Sequence, residues 1–256
     1  MFLKYPFLPQ GRVTHAIVDK KAPEEFLKNL EKLKITPILS SSIPVMESVS
    51  THPDMQIFHL GGNKMVCEHS VYEYYNEILS PLGFDIICGK TKTDSNYPKD
   101  IAYNIARVGN YAIHKKSYTD TEILDYFMQN DICIIDVAQG YTKCAICIVS
   151  ESAVITSDLG IAKALEKSKI EVLTVEKGGI RLSGMDYGFI GGTCGLIAPN
   201  LLVFCGNIEK HIDYRKIKAF AKNKSVDVVS LCSGNLTDIG SIIPIKQEVI
   251  DWNNSQ

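Results

Sequence analysis

Met55-Gln56-Ile57-Phe58-His59-Leu60-Gly61-Gly62-Asn63-Lys64-Met65-Val66 reads as a strand hairpin. A helix-like stretch follows at Val71–Leu79, where Val71, Tyr74, Tyr75, Ile78 and Leu79 recur at helical spacing on one face. Pro81-Leu82-Gly83 ends that helix, and Phe84–Cys88 is a short apolar strand. Hairpin, helix, strand: this order makes one supersecondary unit, and the chain repeats it.

The repeats are spaced by about 40 to 50 residues, a period that signals a ring or solenoid of units rather than one wound sheet. The third copy runs from a hairpin over Ala102–His114, through a helix opening at Thr119 or Asp120, to Ile132-Cys133-Ile134-Ile135. Thr119-Asp120-Thr121-Glu122 has the spacing of a capping box, with Thr119 at the N-cap and Glu122 three residues on. In the fourth copy Cys144–Val149 and Ala153–Thr156 flank a turn at Ser150-Glu151-Ser152. Ser157 or Asp158 then caps a helix over Ile161–Glu166, and Glu171–Val175 returns as a strand. The fifth reads Phe189–Ile197, Leu201–Phe204, a helix near Tyr214–Lys222 and a strand at Val226–Leu231.

Left over are Val13–Val18, a helix near Pro23–Leu33, Ile35–Leu39, and an orphan C-terminal strand at Ile239–Ile245. Joined, they make one more unit whose first strand comes from the far end of the chain, and such closure leaves no unpaired sheet edges. The expected architecture is therefore an α/β fold, a five-unit α/β-propeller closed by pairing of N- and C-terminal strands, in a single domain over residues 1–256. A doubly wound sheet alternates single strands with helices and has few hairpins, which fits this pattern less well.

Four segments carry a resemblance: His52-Pro53-Asp54-Met55, Gln139-Gly140-Tyr141-Thr142-Lys143-Cys144, Gly188-Phe189-Ile190-Gly191-Gly192 and Asp238-Ile239-Gly240-Ser241-Ile242-Ile243-Pro244. With the repeat, they resemble an uncharacterised bacterial family assigned to the pentein fold, also called the guanidino-group-modifying-enzyme fold. That fold, an α/β-propeller, is shared by arginine deiminase, dimethylarginine dimethylaminohydrolase and the amidinotransferases. The resemblance implies a site on the pseudo-fivefold axis. In pentein hydrolases a C-terminal cysteine attacks the guanidinium carbon, a histidine handles protons, and carboxylates grip the substrate. Here Gly240 or Ser241 stands nearest the nucleophile position, and Tyr141-Thr142-Lys143 replaces the usual His-x-Asp.

Composition bounds the rest. The net charge of −2 has both signs interspersed, so no electrostatic footprint for nucleic acid is visible. Met1-Phe2-Leu3-Lys4-Tyr5-Pro6 lacks the apolar run of a signal peptide, and no segment approaches the roughly 18 apolar residues of a spanning helix. A cytoplasmic protein with no membrane partner is the expectation. Asp94-Ser95-Asn96-Tyr97-Pro98 is the most loop-like stretch, and Trp252 lies in a polar tail. Of the eight cysteines, Cys88, Cys133, Cys147 and Cys205 sit in apolar strands, where a thiol behaves as a small hydrophobe. Cys144 and Cys147 have CxxC spacing, but on a strand they point to opposite faces, so the pair reads as structural. Neither GxGxxG nor GxxxxGK[ST] occurs, and no cofactor is implied.

Aligning the inner strands of the units brings polar residues into register: His59 and Asn63, Asn104 and Arg107, Tyr141 and Lys143, Thr193 and Cys194, Asp238 and Ser241. Polar side chains in strands fit for burial need partners, since an unpaired one costs about 1–3 kcal/mol. They make either a ligand pocket or a water-filled channel. Gly61-Gly62, Gly191-Gly192 and Gly240 occupy comparable places and fit close backbone approach near an axis. Cys194 is the candidate nucleophile, with its thiolate favoured by Lys143 or Arg107, and His59 the candidate acid or base. Arg107 and Lys143 point to a small anionic or zwitterionic ligand. His52-Pro53-Asp54 and His211-Ile212-Asp213 have His-x-Asp spacing on connections outside the inner strands, and Asp213 reads as a helix cap. No metal site is expected unless those loops converge. Two functional readings stand: a divergent thiol hydrolase of C–N bonds in an amidino-, guanidino- or amide-bearing compound, or a non-catalytic pentein that binds a ligand or a macromolecule.

Overall fold

A computed structural model describes residues 1–248, and Trp252 lies outside the described residues. The first unit opens with β1 (Val13–Val18), α1 (Glu24–Lys32) and β2 (Thr36–Leu39). The second is β3 (Ile57–Gly61), β4 (Lys64–Cys67), α2 (Tyr72–Leu79) and β5 (Asp85–Cys88); the third is β6 (Ala106–Val108), β7 (Tyr111–His114), α3 (Thr121–Gln129) and β8 (Cys133–Asp136). A short helix α4 (Thr142–Ala145) leads into β9 (Ile146–Ser150), β10 (Ala153–Thr156), α5 (Leu159–Leu165) and β11 (Glu171–Thr174). After β12 (Ile180–Arg181) come β13 (Cys194–Ala198), β14 (Leu201–Phe204), α6 (Tyr214–Asn223) and β15 (Asp227–Ser230), then β16 (Leu236–Thr237) and β17 (Ile243–Gln247).

One pairing rule repeats. In each unit the first strand runs antiparallel to the second, and the strand after the helix returns parallel to the second: β3-β4-β5, β6-β7-β8, β9-β10-β11 and β13-β14-β15. The remaining sheet has the order β17-β1-β2, so β17 supplies the antiparallel first strand of the N-terminal unit. The sheets are small and open, and none closes on itself. The sequence did not signal the two-stranded parallel sheet of β12 and β16.

Burial follows the order within a unit. Second strands are mostly buried, β10 wholly so, whereas third strands such as β8 and β11 have exposed ends and half-buried middles. Helices α1, α3 and α5 set their apolar stripes on the sheet through residues four apart: Phe26 and Leu30, Ile123 and Phe127, Ile161 and Leu165. First strands touch across units, β9 against β6 and β13, and β13 against β17.

Some boundaries differ from expectation. Asp120, not Thr119, caps α3, accepting from the Glu122 N–H at 2.9 Å, while Thr119 Oγ1 is 2.7 Å from His114 Nδ1. Asp158 caps α5 as expected. Asp213 precedes α6 but leaves its cap unmade, because its carboxylate takes the Glu176 N–H and pairs with Lys216. The C-terminal strand spans Ile243–Gln247 rather than 239–245, since positive φ at Gly240 and Ser241 interrupts extension. Gly191–Thr193 forms a 3₁₀ turn, so that strand begins at Cys194. The Cys144–Cys147 pair straddles α4 and β9, and the strand argument for its orientation fails there.

Candidate functional site

The segments that enter the first strands meet in the interior. Met55, Asn104, Cys144, Gly192 and Ser241 each stand two residues ahead of β3, β6, β9, β13 and β17. They touch in two groups: Asn104 Nδ2 lies 3.3 Å from Met55 Sδ and 3.2 Å from Cys144 Sγ, and the Gly192 carbonyl accepts the Ser241 N–H at 2.8 Å. Asp54 Oδ2 ties two of these segments, accepting from Cys144 Sγ at 3.0 Å and Ser241 Oγ at 2.7 Å.

His52 and Asp238 flank this centre. Asp238 follows β16, and its carboxylate accepts the N–H groups of Phe189 at 2.8 Å and Gly240 at 3.0 Å. Glycine is required twice around it: a Cβ at Gly192 would overlap the Asp238 carboxylate, and one at Gly240 would lie 2.3 Å from the His52 Cβ. His52 ends the connection before the 3₁₀ turn Pro53–Met55. Its Nδ1 faces Asp238 Oδ1 and its Nε2 faces Asp19 Oδ2, both at 3.8 Å, beyond direct hydrogen bonding. Donor atoms of His52, Cys144 and Asp238 all lie within 4.8 Å of one another. Among the described residues, His52 Nδ1 and Asp54 Oδ1 have no hydrogen-bond partner.

His52, Cys144 and Asp238 line a cavity of about 170 Å³, walled elsewhere by Met46, Val49, Leu182, Tyr141 and Phe189. The Tyr141 and Phe189 rings are 6.4 Å apart, and the Tyr141 hydroxyl donates to Asp100 at 2.5 Å. Asp186 and Asp238 bring carboxylates to the lining, and no lysine or arginine belongs to it. A second chamber of about 370 Å³ shares Met46, His52, Leu182 and Asp238 with the first and holds Lys21 and Glu47. Burial, with Asp54 and Asp238 beside it, pushes the Cys144 thiol well above its ordinary range. Burial also raises the Asp238 carboxyl, against the opposing influence of His52 and the two N–H donors.

The residues singled out in the sequence divide. Asp238 and Tyr141 line the cavity. Asn104 and Ser241 belong to the interior cluster, and Asn104 also receives the Lys143 N–H at 2.8 Å. Lys143 turns its ammonium the other way, to Ser241 Oγ at 2.9 Å, the Gly191 carbonyl at 3.3 Å and the Phe7 ring. It shares a void of about 10 Å³ with Cys194, whose thiol donates to the Ile190 carbonyl at 3.4 Å. Thr193 is buried and bonds the same carbonyl. His59 bonds the Gly62 carbonyl at 2.9 Å and packs on Phe84, and burial lowers its pKa to about 4. Asn63 sits beside Gly62 in the β3–β4 turn. Arg107 bonds the Gly109 carbonyl and lies over Phe127. Cys194, His59, Asn63 and Arg107 line neither chamber.

His52, Asp54 and Cys144 are what strand alignment overlooked. The His-x-Asp spacing pointed to the first two, and Cys144 directly follows Tyr141-Thr142-Lys143. His211 and Asp213 do not join them: His211 Nδ1 accepts the Asp213 N–H, and Asp213 serves Glu176 and Lys216.

Residues 17–243 match the family of unknown function DUF6873. No curated protein matches the sequence. Among solved structures, the inosamine-phosphate amidinotransferase of Streptomyces griseus superposes with a TM-score of 0.58 at 11% identity, covering 98% of each chain. An amidinotransferase of Microseira wollei, from the saxitoxin biosynthetic pathway, gives 0.56 at 10% identity over 98% of this chain and 97% of its own. A substrate-bound agmatine deiminase of C. jejuni gives 0.56 at 8% identity over 98% of each. Among the described residues no helix is long and apolar enough to cross a membrane.

Proposed function

Since this chain belongs to the DUF6873 family and has the fold of the pentein superfamily, we propose that it is a thiol enzyme acting on a C–N bond of a small cationic amidino or guanidino compound. The observation that carries this reading is the meeting of Cys144, His52 and Asp238 at the end of an apolar cavity. The same reading takes residues 1–256 as one domain and the five units as a closed ring, supported by the pairing of β17 with β1.

A flat cation suits the cavity. Its charge is met by Asp238 and Asp186, and its face by the Tyr141 and Phe189 rings. The anionic ligand expected from Arg107 and Lys143 loses its support, because neither cation reaches the lining. Cys144 Sγ attacks the amidino carbon and forms the S–C bond, with the thiol proton leaving along the hydrogen bond to Asp54. The C–N bond then breaks, and His52 protonates the departing amine. Water, or an acceptor amine, attacks the carbon of the resulting S-alkylthiouronium and gives a proton to the now neutral His52; the C–S bond breaks, and the proton on Asp54 returns to Cys144. A buried cation beside these carboxylates favours the thiolate that burial alone disfavours.

The non-catalytic reading keeps the pocket and removes the covalent step; it is favoured by the enclosure of Cys144, which is only 2% exposed. Treatment of the native protein with 2-chloroacetamidine, followed by peptide mass spectrometry, separates the two. Selective alkylation of Cys144, suppressed by agmatine, supports the enzyme. Protection of the fold by agmatine without alkylation of Cys144 supports the binding protein.

A further inference from the structure

Three buried carboxylates, Asp19, Asp54 and Asp238, surround His52 and Cys144. One buried ammonium reaches them, and only through Ser241: Lys143 Nζ to Ser241 Oγ at 2.9 Å, then Ser241 Oγ to Asp54 Oδ2 at 2.7 Å. Carboxyl groups therefore outnumber the ammonium groups beside them, and His52 Nδ1 and Asp54 Oδ1 are enclosed without partners among the described residues. His52 and Asp54 are each 2% exposed. Buried carboxyl groups and an unpartnered nitrogen at one point mark a place for a cation that accepts a lone pair.

We propose that His52 Nδ1, Cys144 Sγ and Asp238 Oδ1 form a binding site for one zinc ion, with its fourth position open to the cavity. Thiolate, imidazole and carboxylate are the zinc donor set, and three protein ligands with one open position is the pattern of sites that take an exogenous ligand. Tetrahedral zinc places such donors about 3.3–3.7 Å apart. The His52–Asp238 pair stands at 3.8 Å and the widest separation is within 4.8 Å, so side-chain movement of about an ångström closes the site. The outer contacts fit as well. Asp19 Oδ2 stands 3.8 Å from the other ring nitrogen of His52, so the same small movement would make the hydrogen bond that orients a metal-binding histidine, and the Phe189 N–H holds the second oxygen of Asp238. Binding replaces the Cys144 S–H bond by a sulfur–zinc bond and releases that proton to solvent. Magnesium and calcium prefer all-oxygen sets and are poorly served by this one.

Zinc seated here masks the Cys144 sulfur. If the thiol enzyme proposed above is correct, zinc is its reversible inhibitor; the binding site itself does not depend on that reading. The test uses full-length protein stripped with EDTA and desalted, titrated with Co²⁺ as the spectroscopic probe. One equivalent is expected to produce tetrahedral visible bands with a thiolate-to-cobalt charge-transfer band, and one equivalent of Zn²⁺ to abolish both. Cys144→Ser should lose the charge-transfer band, His52→Ala should weaken binding about tenfold or more, and Cys194→Ser should behave as the parent. Absence of the band in the parent protein with excess Co²⁺, or its persistence in Cys144→Ser, overturns the site. The parent measurement stands even if the His52 variant does not fold. Chloroacetamidine labelling in EDTA is scored separately: labelling without the cobalt band overturns the metal site and leaves the enzyme, and the reverse leaves the metal site alone.

Discussion

Gly240 turns the chain from Asp238 toward β17 with φ of +62°, and its Cβ position falls against the backbone-attached carbons of His52. No rotamer change of His52 removes that overlap. Gly240→Ala should therefore cost about 3 kcal/mol or more, combining left-handed strain with displacement of the connection. A urea midpoint equal to that of the parent protein would show that His52 does not pack there. Acid sensitivity is a second consequence at this scale. Burial lowers both His59 and His114 to about 4, from 6.5. Between those values the unfolded chain binds protons that the folded chain refuses, so stability falls as pH falls through that window. Each histidine should remove about 2 kcal/mol between pH 7 and pH 5. Chemical denaturation at both pH values should show that loss reduced by about 2 kcal/mol in His59→Asn; an unchanged pH slope would count against the buried neutral ring.

The helix caps differ in what depends on them. Asp158 accepts the Ile161 N–H and a Gln139 amide at the surface, and Asp158→Ala should cost about 1 kcal/mol. Asp120 is fully buried and receives the N–H groups of Glu122 and Thr91 as well as the Tyr103 hydroxyl. Asp120→Ala strands those donors and should cost about 3 kcal/mol, an ordering that thermal melts of the two variants test directly. Elements of this kind were legible: helices through the four-residue spacing of Phe26 and Leu30 or Ile123 and Phe127, strands through short apolar runs bounded by turns. The site was less so. Alternation along β3, β6 and β13 describes strands, whereas the clustered residues stand in the turns before them, where no period operates. Cys144 shows the difficulty. Its neighbours Cys147–Val149 are strand residues, and contacts with Asn104 and Asp54, remote in sequence, hold Thr142–Ala145 in a helical turn. His52 carried a spacing, but only the approach of Gly240 and Asp238 makes it face the cavity.

In the proposed closed ring, the whole molecule depends on β17. Removing residues from Asp238 onward deletes β17, leaves β1 without its antiparallel partner and removes one side of the site. The truncated chain should be aggregated or largely unfolded, and a soluble form with a cooperative melt and native-like circular dichroism would contradict the closed arrangement. The pairing reaches further than β17 and β1 alone. The Met1 amino group donates to the Gln247 carbonyl at 2.8 Å across a separation of 246 residues, and Phe2 bridges Lys246. During synthesis β1 is made long before its partner β17, with the other four units between them. Units two to five can pair within themselves as they emerge, through contacts of modest sequence distance. The first unit must wait with an open edge until β17 has been made. Its closure is then the slow, long-range step, and a nascent chain arrested before Ile243 is the form most exposed to pairing with a neighbour.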